Sequence, residues 1–324
     1  MESTAARRRK AYNQGLSWLR RLAVVAALSG GLVANRPAAA LSFEDHFAGV
    51  QTTMPDGSTK LYPDQNNWGF TFWPGVQSPN SYGDGTNWLA GNGDSESYLT
   101  PFMPVAKPLP AAQRYDPFTI QPDGLHIRAS VLSPEQQSVY KVTSFHRFGS
   151  GMLISKFSFQ YGTVTMVAKL PKAKGSWPAL WMLPTSHAWP PELDIFEAMP
   201  WAPHAQQIHS GVILPTGVSG GFGDWYNVGT DLIDNFHTYS LTWAANTMSM
   251  RFDGTVIWTK PTPPALQTPM YLLVTYAVGG KWPYNELQVQ PIDSTAKARL
   301  GVGSNLIQGD YPADMVIKSI KVTP

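Results

Sequence analysis

The sequence contains no cysteine, which excludes disulfides, thiol nucleophiles and cysteine-ligated zinc and leaves stability to packing, with at most a bound ion to assist. It has no apolar run of the ~20 residues that a membrane-spanning helix needs. It has no basic run after residue 40, so nothing supports nucleic acid or another polyanion as a partner. The formal charge of +2 misleads on this point, because seven of the 24 Lys/Arg but one of the 22 acids lie in residues 1–40; the 17 basic and 21 acidic residues that remain leave a balance near −4. A helical period longer than about ten residues is also missing, as are internal repeats, low-complexity tracts and any stretch that would separate two domains.

Residues 1–40 differ in composition from the rest. Arg7, Arg8, Arg9, Lys10, Arg20 and Arg21 precede an apolar stretch from Leu22 to Ala34, with small residues Ala38 and Ala40 where a signal peptidase would read. The pattern predicts a secretion signal cut near Ala40, and therefore an exported protein; Arg20-Arg21 leaves twin-arginine export open. Residues 41–324 are expected to form one domain. The 28 glycines and 28 prolines point to many short elements joined by tight turns. Alternating apolar and polar residues predict strands at Leu125 to Ala129, Tyr161 to Leu170, Tyr239 to Trp243, Met270 to Val274 and Met315 to Val322. Asp253-Gly254 has the chemistry of a two-residue hairpin turn. The stretch from Pro63 to Asp94 reads as ordered loop, since Trp68, Trp73 and Trp88 would be unfavourable in water.

Three carboxylates fall within six residues, at Glu192, Asp194 and Glu197. On a strand, Glu192 and Asp194 share a face while Leu193 points to the other. Strict alternation would place Phe196 beside the acids, so one inserted residue, a β-bulge at Ile195-Phe196, is required to return Glu197 to their face. The two glutamates then lie ~13 Å apart between Cα atoms, and their carboxyl groups can lean to within ~5.5 Å, the separation of a retaining glycosidase. Like-charge crowding must raise at least one of these pKa values. A proton on Glu197 would make it the general acid and leave ionised Glu192 as nucleophile with Asp194 orienting it, although electrostatics alone do not fix that order. The bland reading is a solvated acidic strand face; the apolar flanks and the mutual repulsion of stacked acids weigh against it.

Glu192-x-Asp194-x-x-Glu197, preceded by Trp177-Pro-Ala-Leu-Trp181, resembles glycoside hydrolase family 16, and its laminarinase-like, bacterial β-glucanase branch most. Ser150-Gly151, Tyr161-Gly162 through Pro171, Phe236-His237 through Trp243, Asp253-Gly254, Ala277 to Gly280 and Trp282-Pro283 match in order. The resemblance implies an all-β jelly-roll sandwich of two antiparallel, concanavalin-like sheets with a cleft on the concave one. It also implies Glu192 as nucleophile, Asp194 as its assistant and Glu197 as acid/base. Departures at Met152, Thr165, Val167 and Thr275 bear on substrate more than on chemistry.

Trp177 and Trp181 share a strand face with Ala179, with Trp177 the better sugar platform and Trp181 open to either cleft or core. Trp189, Trp201, Trp225 and Trp282 are weaker candidates. His209 is expected near the substrate or the acid/base, with only His204 nearby, too few ligands for zinc. Glu96 and Tyr98 resemble a sugar-contacting element. No metal site is predicted, although the resemblance admits a structural calcium, and no redox cofactor is expected. Ser219 to Gly223 reads as a glycine-rich cleft-rim loop. The function expected is a secreted, monomeric, retaining endo-β-glycanase acting on β-1,3 or mixed β-1,3/1,4 glucan or a related exopolysaccharide, with no nucleic-acid or membrane partner after signal cleavage. The rivals are a jelly-roll that binds polysaccharide without turnover, disfavoured by the retained acids, and a transglycosylase.

Overall fold

The computed structural model describes residues 41–72, 92, 94–103, 110, 113–142, 146–201, 203–215, 220–280, 282–283 and 309–324. The predicted signal segment, Trp73, Trp88 and Ser219 lie outside the described residues.

Strands predicted from alternation are present, with longer bounds at Gly124–Val131, His237–Trp243, Met270–Val278 and Ala313–Thr323 and one residue shorter at each end at Gly162–Lys169. In Gly162–Lys169 the reason is plain: Val164, Met166 and Ala168 are buried, while Thr163, Thr165, Val167 and Lys169 are only half-buried. Asp253 (φ 47°) and Gly254 (φ 81°) both take the left-handed conformation of a type I′ turn, joining Thr247–Phe252 to Thr255–Pro261. Among the described residues one α-helix occurs, Pro134–Val139, with a capping box between Ser133 and Gln136.

These elements build two main sheets. A seven-stranded sheet runs Phe222–Asn227, Gln207–Ile213, Glu192–Glu197, Ser176–Pro184, Met270–Val278, Met152–Ser155, Trp68–Gly69. The ten-stranded sheet has the path Thr255–Pro261, Thr247–Phe252, His237–Trp243, Gly162–Lys169, Ala313–Thr323, Gly124–Val131, Phe148–Ser150, Glu96–Tyr98, with Phe43–Asp45 and Phe118–Gln121 added beside it. All pairings are antiparallel except that of Glu96–Tyr98 with Phe148–Ser150. This is a jelly-roll sandwich.

Ser176–Pro184 and Met270–Val278 are buried at nearly every position because both their faces are covered. Leu180, Met182, Leu272, Val274 and Tyr276 belong to the core between the sheets. Their neighbours Ala179, Trp181, Leu183, Tyr271, Leu273 and Ala277 join Phe72, Tyr98, Met152 and Ile154 in a second apolar cluster on the outer side of the seven-stranded sheet. That second cluster is the floor on which the cleft lies. Trp68, wholly buried, donates its Nε1–H to Asp45 Oδ2 at 2.8 Å, so this part of the expected loop is anchored in the core.

Candidate active site

The acidic strand carries the bulge its pattern requires. On one side Leu180 pairs with Phe196 and Trp181 with Asp194; on the other Asp194 pairs with Gly211 and Glu197 with His209. Ile195 is thus the extra residue. Leu193, Ile195 and Phe196 all enter the core at 0% exposure, and Glu192, Asp194 and Glu197 face a cleft of about 400 Å³. Trp177, Ala179 and Trp181 line the same cleft, joined by Trp189, His209 and Trp282.

Each glutamate accepts one indole N–H. Trp189 Nε1 donates to Glu192 Oε2 at 2.7 Å, and Trp177 Nε1 donates to Glu197 Oε1 at 3.1 Å. Glu197 Oε2 lies 3.1 Å from His209 Nδ1. That contact survives a change of protonation, because a charged Glu197 accepts from Nδ1–H and a protonated one donates to bare Nδ1. His209 can approach because residue 223, on the neighbouring strand, is glycine: a Cβ there would sit 2.9 Å from the imidazole ring.

Crowding alone suggests a proton on Glu197; in the structure the groups driven upward are Asp194 and Glu192. Burial, followed by the charges of Glu192 and Glu197, holds Asp194 well above the carboxylate range. Burial and then the Glu197 charge push Glu192 to about 7, opposed by hydrogen bonds from Trp189 and Asp194. The direction that follows is a protonated Asp194 donating to Glu192.

An aromatic wall stands at the Glu197 end. Trp282 meets Trp177 at 5.4 Å and His209 at 4.9 Å edge-on, and Trp225 at 5.3 Å with the rings tilted by 47°. His204 stacks on Trp225 at 3.8 Å and 9°, so it serves the wall. Among the described residues no cluster of three His, Cys, Asp or Glu side chains is arranged to hold a metal ion. Trp181 both lines the cleft and belongs to its floor, donating to Thr275 Oγ1 at 3.2 Å.

Three expectations need correction. Glu96 does not reach the cleft: it is wholly buried, its Oε2 accepts from Val278 N–H at 2.7 Å, and burial raises it to about 7. Asp94 and Tyr98 line the wall in its place. Trp201 is structural, 6% exposed and donating to the Ser176 carbonyl at 2.9 Å. Phe222 and Gly223 begin an edge strand paired with Gln207–Ile213 and are not part of a rim loop. Asn92, Asp94, Val212 and Ile213 line the cleft without having been singled out, and Phe222 lines it as its place in the expected rim segment implies; the first four carry no signal until the fold brings them together.

The family profile described as "Glycosyl hydrolases family 16" matches residues 126–291. The chain belongs to glycosyl hydrolase family 16. Two relatives from Rhizobium meliloti (strain 1021) are each described as an "Endo-1,3-1,4-beta-glycanase". ExsH is 31% identical over 199 residues and EglC 33% over 197; each alignment spans 59% of this chain and only 39% of the relative. In fold, the chain is similar to the catalytic domain of an endo-1,3-beta-glucanase (laminarinase) from Thermotoga petrophila RKU-1. The TM-score is 0.59 at 23% identity, covering 87% of this chain and 96% of that one.

Proposed function

We propose that the protein is an exported, retaining endo-β-glucanase that cuts β-1,3 or mixed β-1,3/1,4 glucan or a related bacterial exopolysaccharide. The observation that carries this reading is the placing of Glu192 and Glu197 on one cleft face, each fixed by an indole N–H, with a buried acid between them. Such a pair suits double displacement. Glu197 gives its proton to the glycosidic oxygen as a Glu192 carboxylate oxygen attacks the anomeric carbon; the C–O bond to the leaving sugar breaks and a glycosyl ester forms. Glu197, now charged, takes a proton from water, whose oxygen displaces Glu192 from the same carbon. Two inversions leave the configuration unchanged.

Asp194 supports this sequence as a donor. Its proton stabilises Glu192 when that group departs as a carboxylate in the second step. Burial and then the Glu197 charge raise Glu192; a proton on Glu197 as general acid removes the second of these and favours an ionised Glu192 nucleophile. The printed activities of the Rhizobium meliloti relatives support the linkage class, and the composition of residues 1–40 supports export. No redox cofactor enters these steps.

The test is to purify Glu192→Gln and Glu197→Gln and follow glucan cleavage beside the parent, with the new reducing ends read by proton NMR. We expect turnover to fall on the order of a thousandfold or more in each variant, glucan binding to persist, and the β-anomer to appear first from the parent. An initial α-anomer, or a variant that keeps parental turnover, sinks the reading.

A further inference from the structure

The bulge has a consequence on the side of the sheet that faces away from substrate. Between the Asp194–Gly211 and Glu197–His209 pairs the ladder slips by one residue, and Ser210 stands opposite the slip. Ser210 is wholly buried, with Ile208 and Val212 of the core on either side of it along the strand. A hydroxyl in such surroundings is unfavourable unless both its donor and acceptor capacities are used.

Both are used. Ser210 Oγ–H donates to the Asp194 carbonyl at 3.0 Å, and Ser210 Oγ accepts Trp258 Nε1–H at 3.0 Å. Trp258 belongs to Thr255–Pro261, the edge strand of the other sheet, and is itself 5% exposed. Its ring also meets Phe222, a cleft-lining residue, edge-on at 5.0 Å. A chain of two hydrogen bonds thus crosses the sandwich from the far sheet to the residue at which the acidic strand bends.

We propose that Ser210 and Trp258 are positioning residues for the glycosidase reaction, holding the Asp194 carbonyl so that the bulge keeps Glu197 in its place relative to Glu192. A bulge disrupts the ladder and lets the strand twist. Ser210 supplies a bond that the slipped register disfavours, and Trp258 fixes the rotamer of that hydroxyl. Without them the carbonyl is free to turn, and the carboxyl two to three residues on turns with it. Displacements near 1 Å at a reacting group suffice for losses of about a hundredfold.

The inference rests on the function proposed above, so Glu192→Gln is assayed in parallel. Ser210→Ala, Trp258→Phe and the double variant are compared on laminarin and barley mixed-linkage glucan at a temperature well below the melting point of each. We expect kcat to fall ten- to a hundredfold with KM within about twofold of the parent, the double variant no worse than Ser210→Ala, and partial recovery in Ser210→Thr. A dinitrophenyl laminaribioside separates positioning from mere stability. Its leaving group needs no proton from Glu197, so the pre-steady-state release of dinitrophenolate should be impaired less than glucan cleavage. Equal loss on both substrates, or a kcat within twofold of the parent in Ser210→Ala and Trp258→Phe, overturns the inference. If Ser210→Ala does not fold, Trp258→Phe, which keeps the hydroxyl and an aromatic ring, carries the same test. Should Glu192→Gln retain turnover, the catalytic reading itself fails.

Discussion

At Glu192 two hydrogen bonds, from Trp189 and Asp194, oppose two stronger influences. Burial and the Glu197 charge push this carboxyl up, and the Trp189 indole, 48% exposed and 2.7 Å away, pulls it down. The other titratable groups lining the cleft are Asp194 on its own strand, His209 on the next strand, and Asp94 and Tyr98. Replacing Trp189 by Phe keeps a ring for sugar packing and deletes the donor, so the Glu192 pKa must rise. The acid limb of kcat/KM, where the proposed nucleophile loses its charge, is expected to move to higher pH by roughly half to one unit. A rise in KM with an unmoved limb would show that Trp189 acts as a platform alone. The predicted donors themselves could not be read from the sequence. Trp177, Trp189 and His209 are conspicuous residues, but which atom each offers, and to which carboxylate, depends on pairings between strands distant in the chain, such as Trp177 with Ala277.

The acidic strand shows what an element can reveal from its own pattern. Three acids that break a period of two demand a bulge, and the registers on both flanks contain it. The neighbouring edge strand reveals less. Its Gly-rich start reads as a loop because no apolar alternation marks it, yet glycine is there for space: at Gly223 a methyl group would lie 2.9 Å from His209 Cε1 and Nε2. Gly223→Ala is expected to push the imidazole off Glu197 and lower kcat about tenfold or more with little change in melting temperature. Near-parental kcat would show that His209 has room to yield. Glu96 misleads for a related reason. Its resemblance to a sugar-contacting element implies a binding role, but parallel pairing with Phe148–Ser150 buries it completely, where its carboxylate accepts from Val278 N–H.

For the molecule as a whole, these buried acids set a pH dependence. Glu96 and Glu192 are raised from 4.5 to about 7, and burial holds Asp194 well above the usual carboxylate range. A carboxyl whose pKa is higher folded than unfolded favours the native state fully below its unfolded value, and that advantage disappears as pH climbs through the folded value. Stability is therefore expected to fall between about pH 5 and pH 8, with wholly buried Glu96 contributing up to about 3 kcal/mol of the change. Calorimetry across that range checks it: Glu96→Gln should flatten the slope and melt above the parent at pH 8, and an unchanged slope would show that Glu96 does not titrate there. The all-β class was legible because turn chemistry and alternation are local. The order of strands was not, because it is decided by which apolar faces meet.

One pairing in that order governs how the protein comes to be. Ala313–Thr323 lies in the interior of the ten-stranded sheet, hydrogen-bonded to Gly162–Lys169 on one side and to Gly124–Val131 on the other, and Phe43–Asp45 adds to its end. The ten-stranded sheet therefore cannot close until residue 323 has been made, and before then Gly162–Lys169 and Gly124–Val131 each keep one edge without its partner. Such a polypeptide reaches its compact form late, through contacts of long sequence separation, and stays threadable until then.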